Sequence, residues 1–356
     1  MILQIGEGGI ADDSFSSRMR ELFQAHFGNA GRGVLPPGVP YRGYKPAHVS
    51  VTQEGWSAVS SNSSAMGPFG ITGLRQHASG SATMTLTVDD SHDLENAEIE
   101  VLRQPGGGTL LAELEHGSRA AIATTAPTRN AAWQPVPPAT GSHTLTLDAI
   151  GDGPVDVLAW RITRGRPGVI YANLDAVEAD IDMLDRWDPT LVRQELRHLT
   201  PSLIVLAFGT HAGFRYDTDV KTYAANFAAR LRELHAAAPL AALLVLGPPD
   251  AYKRRQKSST EPVACGDPNL TEPPKLGAIR TAERAVASKE HAYFWDWQTA
   301  MGGPCGILRL PRSNPVLATP DRTHLSALGY NVAAELLFRT IIGGYERYQR
   351  ALRPSA

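Results

Sequence analysis

The segment Asp321-Arg322-Thr323-His324 spaces a carboxylate three residues ahead of an imidazole. That spacing suits a general base and the group that orients it, the acid-and-base half of a hydrolase triad. Other ionisable residues follow strand-like runs: Glu7 near the start, Asp175 and Glu178 near the middle, and His211 in Gly209-Thr210-His211. Two chemistries are open to such a set. Glu7 and Glu178 could act as a carboxylate pair on a glycosidic or similar bond, with their separation deciding the geometry. His211, His324 and a carboxylate could hold a metal, but no metal-ligand spacing occurs in the chain, so neither metal nor cofactor is expected. Gly8, Asp175, Thr210 and His211 are the candidates for contacting substrate. Each residue also has an inert alternative. Glu7 could accept loop hydrogen bonds, Glu178 could sit at a helix start favoured by the dipole, and His211 could be a satisfied loop histidine. Asp321 and His324 could anchor the last helix.

Positioning these residues falls to two textures of sequence. The chain opens on a strand over 2–5, then a helix over about 13–27 with Phe15, Met19, Leu22, Phe23 and His26 on one face. Asp12 or Asp13 is its N-cap and Ser14 an ordinary first-turn serine. Short alternating runs take over from about 49 to 165, at 82–88, 97–102, 110–114, 120–123, 144–147 and 155–162, separated by Gly, Asp and Pro. They predict an all-β insert, a sandwich. After Gly165 strands at 168–174, 203–208, 242–246 and 293–295 alternate with helices at about 176–186, 219–237, 276–290 and 325–342. That rhythm implies a parallel sheet with helices on both faces. The expected division is thus a discontinuous α/β domain, 1–48 plus 166–356, interrupted by a β-sandwich at 49–165. In such a sheet function gathers at the carboxyl ends of the strands, where the four polar loops should converge on one crevice.

Composition narrows the partners. The 356 residues are 42% hydrophobic and 20% charged with a net charge of −2, so a globular protein is expected and nucleic acid is not. The cluster Lys253-Arg254-Arg255-Gln256-Lys257 reads as solvated surface. No apolar run approaches the roughly 20 residues that cross a membrane. The two cysteines, Cys265 and Cys305, lie in Gly/Pro-rich segments, and we expect a disulfide between them, as suits an exported protein. Most tryptophans are expected in the core, although an exposed Trp or Tyr could stack on a sugar ring.

Six stretches carry a resemblance: Ile2-Leu3-Gln4-Ile5-Gly6 with Ala11-Asp12-Asp13-Ser14-Phe15, Asn29-Ala30-Gly31-Arg32-Gly33, Val205-Leu206-Ala207-Phe208-Gly209-Thr210, Leu246-Gly247-Pro248-Pro249-Asp250, Phe294-Trp295-Asp296-Trp297 and Asp321-Arg322-Thr323-His324. Together they resemble the SGNH, or GDSL, hydrolases, most of all the periplasmic peptidoglycan and polysaccharide O-acetylesterases with a carbohydrate-binding-like β insert. The resemblance implies a three-layer, flavodoxin-like α/β fold, a glycan partner and a periplasmic or secreted location, with an export signal lacking from the sequence. It also implies a serine nucleophile after Gly-Asp, where this chain has Gly6-Glu7-Gly8. Glycine cannot attack a carbonyl. The oxyanion glycine falls at Glu178, with Asp175 at an earlier glycine position, and the oxyanion asparagine falls at His211. Three of four marker positions have changed and Asp321/His324 persists. The expectation is a glycan-binding protein without serine chemistry. The alternatives are acid–base hydrolysis through Glu7, Glu178, Asp321 and His324, and an O-acetylesterase that recruits another nucleophile.

Overall fold

The computed structural model describes residues 1–7, 13–63, 66–176, 179–256 and 260–352. Gly8 and Glu178 therefore lie outside the described residues. Five parallel strands form the central sheet, in the order Tyr171–Asn173, Ile2–Gly6, Leu203–Ala207, Ala242–Leu246, Tyr293–Trp295. Their sequences are nearly continuous apolar runs because helices cover both faces of a parallel sheet. One face packs under Phe227, Leu231 and Ile279. The other packs under Phe15, Met19, Phe23 and Leu337, from the first helix, Ser14–Phe27, and the last, Ala327–Leu352.

Two antiparallel sheets occupy the region read as an insert. One runs Asn130–Val136, Asn96–Arg103, Val155–Thr163, Leu74–Ala78, Ser57–Ser60, and the other Val49–Glu54, Ser81–Val88, Thr144–Ile150, Thr109–Leu114, Ala120–Ala123. Alternate residues of both, such as Ile99, Trp160, Leu86 and Leu147, meet in one buried cluster. Gly33–Leu35, which the sequence leaves with the α/β part, pairs with Val155–Thr163 and extends the first of these sheets.

Two helix expectations need correction. The stretch 176–186 forms only a 3-10 helix at Ile181–Arg186, and a helix unforeseen in the sequence follows at Pro189–Leu199. Asp188 caps it by accepting the N–H groups of Thr190 and Leu191, and Pro189 fills the first turn, where a missing N–H costs nothing. The disulfide between Cys265 and Cys305 is present.

Candidate functional site

At the carboxyl end of the first strand the backbone is crowded. A Cβ on Gly6 would lie 2.3 Å from the carbonyl oxygen of Ala207, so only glycine lets the neighbouring strand this close. Glu7 follows, its N–H bonded to that carbonyl at 2.8 Å. Its carboxylate reaches across to the short helix Thr210–Phe214. The Thr210 N–H donates to Oε1, and the His211 N–H donates to Oε2 at 2.7 Å. That helix is preceded by Gly209 at φ 104, which has no side chain to cap it. Glu7 supplies the missing acceptor from another strand, meeting the unpaired amides of a helix start with negative charge. Burial pushes its pKa up to about 7, helped by nearby Asp180 and opposed by the bonds from Thr210 and His211.

Asp175 faces inward. Gln4, on the central strand, donates from Nε2 to Asp175 Oδ2 at 2.5 Å and accepts the Tyr171 hydroxyl at 2.6 Å. Burial pushes the Asp175 pKa up to about 8, so the neutral acid dominates at pH 7. Its other oxygen is buried without a donor among the described residues. The expected substrate contact is thus engaged with the strand beneath. Asp13, foreseen only as a cap, accepts the Ser16 hydroxyl, Arg32 Nη2 at 2.8 Å and the Ala47 N–H at 3.1 Å. Burial works against its charge, but Arg32 and Arg20 hold its pKa well below the carboxylate range. No motif flagged Arg20, and Arg32 stands in the stretch 29–33 with no role read for it; the partner of both is fixed only by the fold.

The loop before the last helix carries the dyad. Asp321 Oδ2 meets His324 Nδ1 at 2.7 Å, while Oδ1 accepts the Thr319 hydroxyl at 2.6 Å and the N–H groups of Thr323 and His324 at 2.9 and 3.0 Å. Partial burial raises the Asp321 pKa, but these bonds, the His324 N–H first, outweigh it and hold the carboxyl well below its usual range. The His324 side chain is 52% exposed. Its loop is tied to the chain after Ala242–Leu246, where the Tyr252 N–H donates to the Arg322 carbonyl at 3.0 Å. A crevice over these strand ends is lined by Glu7, Phe208, Thr210, Pro248, Trp297 and Tyr330. Trp297, expected in the core, is 4% exposed yet borders this crevice.

The fold thus brings Glu7, Thr210 and His211 into one hydrogen-bonded unit and Asp321 and His324 into another, and turns Asp175 away. His211 lies close enough to Asp180 to stabilise its charge, though burial raises that carboxyl overall. No group of three His, Cys, Asp or Glu side chains suited to a metal occurs among the described residues.

No family model matches the chain, and no curated protein matches it in sequence. Solved structures do. A peptidoglycan O-acetylesterase is 24% identical, with 96% of this chain and 90% of that one covered at a TM-score of 0.75. A family two carbohydrate esterase from Clostridium thermocellum, solved with cellohexaose, is 12% identical over 83% of this chain and 99% of its own, at 0.34. An acetyl xylan esterase is 14% identical over 48% of this chain and 80% of its own, also at 0.34. The first of these shows the fold: the chain shares that of a peptidoglycan O-acetylesterase, a parallel α/β sheet accompanied by additional antiparallel sheets.

Proposed function

We propose that this protein binds a bacterial envelope or extracellular glycan in a crevice of esterase descent, without serine chemistry. One observation carries the reading. Both carboxylate oxygens of Glu7 are engaged by the Thr210 and His211 amides, and the next residue is a glycine. In the register of the resemblance Glu7 takes the aspartate position and Gly8 the serine position, which supports a site without that nucleophile. The same engagement weakens glycosidic acid–base chemistry through Glu7 and Glu178, since a catalytic acid must be free to meet substrate. The glycan ligand is suggested by the fold shared with a peptidoglycan O-acetylesterase. The disulfide supports an oxidising, exported setting, and no helix among the described residues is long and apolar enough to cross a membrane.

A second reading has its own observation. The 2.7 Å Asp321–His324 bond and the half-exposed imidazole would let His324 draw a proton from water attacking an ester. Incubation with O-acetylated peptidoglycan and acetylated xylan separates the two. Retention on the polymer with neither acetate nor reducing sugar released supports binding, and turnover abolished in His324→Ala would replace it with water-dependent hydrolysis. Reducing ends lost in Glu7→Gln would instead restore the glycosidic alternative.

A further inference from the structure

Four tyrosines are strongly exposed: Tyr216, Tyr293, Tyr345 and Tyr348. Tyr293 opens its strand and so lies at the amino end of the parallel sheet, away from the crevice. Tyr345 and Tyr348 stand in the final turns of the last helix. Tyr216 alone belongs to the functional end, two residues beyond the helix whose start Glu7 caps. It is 65% exposed.

Exposure alone would mean little, but this side chain is tethered. Its hydroxyl donates to Glu261 Oε1 at 2.6 Å and accepts from Lys253 Nζ, which pairs with the same Glu261 oxygen at 2.8 Å. Lys253 Nζ is 4.3 Å from the ring centroid, yet it is bonded to the hydroxyl. The ammonium thus stands over one side of the ring, and the residue is still 65% exposed. The backbone is pinned as well. Thr218 Oγ1 donates to the Ala212 carbonyl at 2.8 Å, and Arg215 pairs with Asp217 at 3.1 Å. Lys253 follows Tyr252, whose N–H holds the Arg322 carbonyl in the His324 loop. Through Lys253 the Tyr216 side chain thus joins the chain after the Glu7-capped helix to the segment bonded to the His324 loop.

We propose that Tyr216 is a stacking platform for a pyranose ring of the glycan beside the Glu7-capped helix, with Lys253 and Glu261 placed to meet the sugar's hydroxyls. The inference rests on the glycan-binding reading and names a contact within it. An aromatic face offers apolar area to the C–H face of a sugar, and a ring already fixed by its hydroxyl has little freedom left to lose on binding. A loosely held surface tyrosine would forfeit that advantage.

The test measures affinity for two probes, soluble chitohexaose by titration calorimetry and purified peptidoglycan sacculi by sedimentation. Tyr216→Ala should weaken binding to whichever probe the wild type holds by roughly tenfold, and Tyr216→Phe, which keeps the ring and loses the tether, by about two- to threefold. Because the side chain is exposed, thermal melting of both variants should stay within about 2 °C of wild type. Equal binding by wild type and Tyr216→Ala overturns the platform and leaves the glycan reading standing. A wild type that holds neither probe overturns both.

Discussion

The floor of the crevice and the loop before the last helix, termed the rim, each present a carboxylate, and the protein uses them in opposite ways. Glu7, on the floor, is enclosed, spends both oxygens on backbone amides and has its pKa pushed up to about 7. Asp321, on the rim, is half-exposed, holds an imidazole with one oxygen and is kept firmly ionised. The floor carboxylate has become structure. The rim carboxylate keeps the arrangement in which a base is oriented toward solvent and whatever enters from it. The two carboxylates thus serve different ends: one meets the amides of a helix start, the other orients an imidazole in the loop before the last helix.

The largest expected effect tests whether the floor is structural. Glu7→Ala leaves the Thr210 and His211 N–H groups without their acceptor, at about 1–3 kcal/mol each, so urea unfolding should show a loss of about 4 kcal/mol. Asp321→Ala, losing exposed bonds that water can replace, should cost about 1 kcal/mol. If the two variants unfold alike, the contrast between floor and rim is wrong.

Protons sharpen the same contrast. Burial raises Glu7 to about 7 and Asp175 to about 8. A second buried pair, Glu100 and Glu195, joins the strand Asn96–Arg103 to the helix Pro189–Leu199. Burial raises Glu100 to about 7, and burial together with Glu100 raises Glu195 well above the carboxylate range. Glu195 Oε2 accepts the Ile71 N–H at 2.8 Å, but Glu195 Oε1 and Glu100 Oε2 are buried without a donor among the described residues. One shared proton would satisfy both. For these groups the folded state binds protons more tightly than the unfolded one. Their stabilisation is complete below the ordinary carboxylate value and is lost as pH climbs through 7 to 8. Asp321 and Asp13 behave in the opposite sense, stabilising above their ordinary value and ceasing to do so as pH falls well below it. Stability against urea should therefore peak near pH 4–5 and fall by pH 9, by on the order of 3 kcal/mol for Glu7 alone. Glu195→Gln, which removes one of the two coupled charges, should make the alkaline fall shallower. A stability curve flat from pH 5 to 9 would show that these carboxyls ionise freely in the fold.

The sequence disclosed the rim far better than the floor, for a physical reason. Asp321 and His324 are three residues apart, so the pattern of the dyad is local and survives without knowledge of the fold. Glu7 meets its partners 203 and 204 positions away; no spacing rule reaches that far, and only the parallel pairing of Ile2–Gly6 with Leu203–Ala207 brings them together. The strands were legible because parallel strands buried on both faces are continuous apolar runs. The helix at Pro189–Leu199 carries a start signal in Asp188-Pro189, but the sequence of 176–186 reads as the helix instead, and among its described residues only the 3-10 helix Ile181–Arg186 forms. Exposure was not legible at all: nothing in the composition separates Tyr216 from the buried Tyr171 or Tyr223.

The smallest expected effect concerns the imidazole that Asp321 orients. His324→Gln removes the imidazole but leaves the Asp321 carboxylate bonded to the Thr319 hydroxyl and the Thr323 and residue-324 amides, so the loop should hold its shape. Because the ring is half-exposed and caps no helix, melting should shift by less than about 2 °C. Under the binding reading, affinity for chitohexaose or sacculi should also change by less than about twofold, since a single rim contact screened by water is worth little. A tenfold loss of affinity with unchanged melting would show that the imidazole grips the ligand directly. The rim would then be the recognition element, and its preserved geometry would owe nothing to hydrolysis.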